Sequence, residues 1–259
     1  MRRDVRSSAV VELSRGMASE LFRSNRAVVA MLVSFGCLLA VSALVDHLVG
    51  KATGVRSTVL DDNLAVLLVV GLATVAVSGT ALSLATMRHR GTLRLLATTP
   101  VPRAAILGSQ VPVRAGVAFV ETAVVVALAA TRGLLTPAEL PALLGVVGGG
   151  FAMLLGLGLL LGARMRDPDL ALQVGGVVPV VVLFTAGSVI PTDSVPRALS
   201  LAIDALPTTW FVRSLDSLLT GSPPVLPLPV AAGVLILAGA LLVALGVRFF
   251  DWGREPVRR

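Results

Sequence analysis

A nucleophilic site needs a Ser, Cys or Thr within reach of a His base and an orienting acid. A zinc site needs three or four Cys, His or carboxylate ligands. The 259 residues supply one cysteine, Cys37, and two histidines, His47 and His89. All three lie in or beside long apolar stretches, with no acid–nucleophile set around them. Cys37 reads as a small buried hydrophobe and cannot form an internal disulfide. The string Gly50-Lys51-Ala52-Thr53 lacks the first glycine of a phosphate-binding loop and the hydroxyl directly after the lysine. No catalytic residue, metal or cofactor is therefore expected on this chain. The exception among ionisable groups is Glu121, six residues into an apolar run that starts at position 115. Helical rise puts it roughly 9 Å into that run. An acid at such depth is costly unless partnered, and is a functional candidate by default. Two roles stay open for it: a polar helix–helix contact to a Ser, Thr or Arg, or a polar point on a substrate path.

The elements that position these residues are set by hydropathy. The chain is 55% hydrophobic and 14% charged, with a mean hydropathy of +0.90. Soluble domains are nearer a quarter charged. This composition excludes a soluble enzyme, a disordered chain and a nucleic-acid-binding domain. A spanning helix needs about 20 apolar residues, and six segments meet that length: 27–45, 64–86, 115–131, 142–163, 170–190 and 228–247. The expected fold is all-α, a polytopic six-span membrane protein. Gly148, Gly149, Gly150, Gly156 and Gly158 in the fourth span permit close helix approach. Pro179 in the fifth is tolerated where neighbours cover the backbone.

Arginine placement sets the orientation. Seventeen basic residues fall in the N-terminal arm, the loop 87–114, the turn at Arg164 and the tail 248–259; five fall in the other connections. The positive-inside rule then puts both termini in the cytoplasm. The sequence pI of 11.4 follows from topology and anionic lipid at the inner leaflet, not from nucleic acid. All but Lys51 of the basic residues are arginine, which with the Ala/Val/Gly/Leu richness fits a high-GC bacterial source. The long arm and first span do not read as a cleavable signal.

Three pieces lie outside the hydrocarbon. Residues 1–26 carry Val10, Leu13, Met17 and Leu21 on one helical face, as an interfacial amphipathic helix or a solvated leader. In the loop 87–114, Gly91 permits a turn, Thr92 is placed as the N-cap of a short helix 93–97, and Pro100 and Pro102 end it. Leu93, Leu95 and Leu96 beside Arg94 read as an exposed docking face for another protein, or as the underside of an ordinary positive-inside loop. In the outer loop 191–227, one face carries Val195, Leu199, Ile203 and Leu206. After Pro207 another carries Phe211, Leu215 and Leu218. These are two short helices that re-enter the outer leaflet, or a surface loop anchored by Trp210.

Arg90-Gly91-Thr92-Leu93, then Leu96-Ala97-Thr98-Thr99-Pro100-Val101, then Arg103 and Ile106-Leu107-Gly108 resemble the cytoplasmic coupling segment of type-2 ABC exporter permeases of the daunorubicin-resistance type. Ile190-Pro191, Val195-Pro196, Leu206-Pro207 and Arg213 resemble that family's outer loop. The likeness covers essentially the whole chain. One departure is Arg88-His89-Arg90, where the family often has acidic residues. The resemblance implies an ATPase-coupling role for Arg90, Gly91, Thr92, Leu93, Arg94, Leu96, Thr99 and Pro100. It implies an outer gate at Pro191, Pro196, Pro207 and Trp210. It also implies two cytoplasmic ABC ATPase subunits that carry ATP and Mg, a second identical or related permease, and a bacterial plasma-membrane location. The cargo would be amphipathic: drug-like, antibiotic or lipid-linked. Against this stand a secondary transporter built on Glu121 and a non-transporting scaffold.

Overall fold

The computed structural model describes residues 25–54, 58–98, 103–185, 197–222 and 226–250. Residues 1–24, Thr99, Pro100, Pro191, Pro196 and the tail beyond 250 lie outside the described residues. The described chain is helical throughout. Its elements are α1 (Asn25–Thr53), α2 (Val59–Ala73), a π-helical turn (Thr74–Ser78), α3 (Gly79–His89), α4 (Thr92–Ala97), α5 (Arg103–Gly108), α6 (Val111–Arg132), α7 (Leu140–Arg164), α8 (Pro168–Thr185), α9 (Arg197–Asp204), α10 (Pro207–Thr220) and α11 (Leu228–Arg248).

Among the described residues, five helical segments are long and apolar enough to cross a membrane: Val28–Thr53, Val59–His89, Ala104–Arg132, Leu140–Arg164 and Leu228–Arg248. The second of these joins α2, the π turn and α3 into one rod. The segment expected as the fifth span, 170–190, is described only as far as Thr185, where it forms α8, apolar over Pro168–Phe184. α1 runs beyond the expected 27–45 as far as Thr53, whose Oγ1 donates to Val49 O at 2.8 Å.

The rod α2–π–α3 is the centre of the bundle. Leu64, Leu68, Leu72, Val75, Ala76, Val77 and Leu84 have no exposed surface. A helix apolar all round is one that other helices enclose, and α6, α7, α8 and α10 all pack on it. α7 and α11 form the tightest pair. Cβ atoms added at Gly149 and Gly156 would lie 2.9 Å and 2.8 Å from the carbonyl oxygens of Ala232 and Gly239. Small residues thus bring the two backbones together, as expected for helices in lipid. α1 is packed least. Val33, Val41, Leu44 and Leu48 on it are more than half exposed, a surface suited to lipid. Cys37, expected to be buried, is exposed on this helix; its apolar setting is correct and the inward face is not.

Candidate functional site

The arginine-rich end of the bundle is built around the end of α3. Arg90 is exposed. Gly91 takes φ +75°, a conformation that L side chains rarely adopt, and reverses the chain into α4. Gly91, not Thr92, occupies the N-cap position. α4 is too short to be stable alone, so its contacts hold it. Leu93 has no exposed surface and belongs to the main apolar core; Leu96 is half-buried against that core. Of the three leucines expected on an exposed face, Leu93 and Leu96 are corrected, since they anchor α4, while Leu95 faces outward, 72% exposed. The anchoring follows from the π turn and α3, which point the chain back under the bundle at Gly91. Thr98 ends the helix, donating from Oγ1 to Leu95 O at 2.7 Å.

Two arginines read as loop charges are buried structural groups. Arg88 is 7% exposed. Its guanidinium donates to the carbonyls of Gly162 at 3.0 Å, Ala163 at 2.9 Å and Met165. These are the last carbonyls of α7, which have no intrahelical donor and carry the negative end of the helix dipole. Arg88 also lies 5.9 Å from the ring centroid of Phe250, just past α11. One side chain, three residues before the Gly91 reversal, thus joins the ends of α3, α7 and α11. Arg114 is 4% exposed and donates to Gln110 O at 3.1 Å and Gly79 O at 2.9 Å. Gln110 Oε1 accepts from Ser83 Oγ at 3.0 Å, which ties α3 to the start of α6. The clue in the sequence is spacing: Arg114, Ala118, Glu121, Val125 and Ala129 lie on one helical face, and that face is the buried one.

Glu121 is 1% exposed, at the junction of α1, α2 and α6. A Cβ at Gly71 would sit 3.1 Å from Glu121 Oε2 and 2.6 Å from the Phe35 ring. Neither carboxyl oxygen has a hydrogen-bond partner among the described residues; Ser78 Oγ and Thr80 Oγ1 are likewise unpartnered. The Ser, Thr or Arg contact expected for Glu121 is not found.

At the opposite end, Arg132 reaches Asp61 at 2.8 Å and Asp46 at 3.5 Å, pinning α1, α2 and α6. α9 and α10 meet at Pro207, the first residue of α10. There Trp210 Nε1 donates to Asp204 O at 2.7 Å, Thr209 Oγ1 donates to Ile203 O at 2.8 Å and Arg213 pairs with Asp204 at 2.7 Å. Phe211, Leu215 and Leu218 are buried. The Phe211 ring fills the space a side chain at Gly150 of α7 would take. Burial, and then the charge of Asp62, pushes the Asp216 carboxyl above its ordinary value. Hydrogen bonds from the backbone and side chain of Thr136 hold Glu139 below its own.

Among the described residues no cluster of His, Cys, Asp or Glu could hold a metal. What the arrangement offers is mechanical: a short anchored helix at one end, a continuous helix α7, and a buried aromatic contact near the middle of α7. Comparison with curated proteins and with solved structures found no match. A family model described as ABC-2 family transporter protein matches residues 50–248. That range takes in the α2–π–α3 rod, the Gly91 turn, α7 and α10. The chain is accordingly a multi-pass membrane protein that belongs to the ABC-2 transporter family.

Proposed function

We propose that this chain is the permease subunit of an ATP-driven exporter. It would pair with a second identical or related permease and two cytoplasmic ATPase subunits. It would sit in a bacterial plasma membrane, with both termini in the cytoplasm and α8 continuing as the fifth of six spans. It would move an amphipathic drug-like, antibiotic or lipid-linked cargo outward from the cytoplasm or inner leaflet. The observation that carries this reading is α4: a six-residue helix fixed inside the core by Leu93 and presenting Leu95 outward. A push on α4 passes through Leu93 and Arg88 to the end of α7. α7 carries α11 with it through the glycine contacts, and meets Phe211 near its middle, at Gly150. Glu121, enclosed by Phe35 and Gly71, lies off this route. The test is affinity capture of the tagged chain from its native membrane. An ATP-hydrolysing partner is expected to come with it, and capture of the chain alone overturns the reading.

Orientation gives a separate expectation. Ser109 is a poor reporter, being 4% exposed with its hydroxyl bonded to Ile106 O. Thr98 and Ser222 are both exposed. In a Cys37→Ala background, Thr98→Cys should resist an impermeant thiol reagent on whole cells while Ser222→Cys reacts. The reverse pattern inverts the topology.

A further inference from the structure

We propose that the groove between the ends of α7 and α11 binds one anionic phospholipid. The groove is a cavity of about 330 Å³ lined by Leu160, Leu161, Arg164, Met165 and Phe249. That is four apolar side chains and one cation, the pattern an amphiphile matches. Both spans end here, at Arg164 and Arg248, so the groove lies at headgroup depth with its apolar wall on the last turn of a spanning helix. Arg164 is exposed, and its guanidinium stands 5.3 Å from the centroid of the Phe249 ring. Stacking of this kind steers a guanidinium while leaving its N–H donors free. No described carboxylate pairs with it.

An anion beside a helix C-terminus would ordinarily meet the negative end of the dipole. Here that end is already occupied, because the carbonyls of Gly162, Ala163 and Met165 accept from Arg88 on the inner side. The charge left for a ligand is the positive one of Arg164. A phosphodiester fits its fork in bidentate fashion. The acyl chain then lies along Leu160, Leu161 and Met165. The inference needs only that α7 and α11 span a bilayer, and stands apart from the exporter reading.

The purified full chain, titrated with phosphatidylglycerol or phosphatidylcholine, is read by native mass spectrometry. One phosphatidylglycerol should be retained in preference to phosphatidylcholine. Arg164→Gln should lower that occupancy about tenfold, the effect of one lost charge-assisted contact, without changing the thermal melt. Arg248→Gln, at the same end but outside the groove, should leave occupancy unchanged. Three results each overturn the proposal: equal losses in the two variants, which means diffuse surface charge; no preference between the lipids; or full displacement by inorganic phosphate, which means an ion site without a chain groove.

Discussion

Gly158→Val is expected to remove nearly all folded protein from the membrane. A Cβ at Gly158 would fall inside the surface of the Ala76 carbonyl oxygen, and 2.9 Å from Val77 Cα. Those atoms are backbone of the π-helical turn, with no rotamer through which to yield. Overpacking a core costs about 1–3 kcal/mol where side chains can adjust, and here two helix axes must separate. The separation would also lift Gly162 from Leu84 and Ala81, which it meets one turn on. Gly148→Val is the matched control, because nothing lies within 4 Å of its added Cβ. Membrane level and monodispersity after detergent extraction read the difference. Equal levels for the two variants would show that the α7 contact with the π turn does not hold the bundle.

Arg88→Lys should lower the midpoint of thermal unfolding by about 5–10 °C. A hydrogen bond to a charged group contributes about 1.5–3 kcal/mol, and each kcal/mol moves Tm by about 2–4 °C at this chain length. Lysine keeps the charge but offers a single nitrogen, whereas the guanidinium fork reaches three carbonyls at once. Arg90→Lys, two residues on and exposed, should melt like the parent. In the proposed exporter, Arg88→Lys should keep the ATPase bound yet lower cargo-stimulated hydrolysis. That separates transmission through α7 from docking at α4. If Arg88→Lys and Arg90→Lys melt alike, the clamp does not contribute to stability, and the proposed route from α4 to α7 loses its joint.

Most of the scaffold is visible in hydropathy alone. The fourth and sixth expected spans coincide with α7 and α11 to within two residues at each end, since each is a charge-free apolar run ended by an arginine. The short helix after Gly91 and the break at Pro207 follow equally from local backbone preference. Direction of burial is what one chain's pattern did not reveal. Arg88 and Arg114 count as positive-inside charges by composition, yet both bond to buried carbonyls. Leu93 and Leu95 are alike in type and differ only by which side of a six-residue helix meets the core. The spacing from Arg114 to Ala129 repeats at helical period, but only the packing shows that this face of α6 is the buried one. Glu121 was found by depth, while its lack of a described partner could come only from the structure.

The central claim is that α4 meets an ATP-binding partner through Leu95. Burying one leucine contributes about 1.5–3 kcal/mol, enough to change affinity by about tenfold to a hundredfold. A photo-crosslinking residue at position 95, activated in native membranes, tests the contact directly. The account predicts one dominant adduct, with a subunit that also takes a photoreactive ATP analogue, and none from the same crosslinker at position 222. Adducts at position 95 only with lipid, or with proteins that bind no ATP, would contradict it.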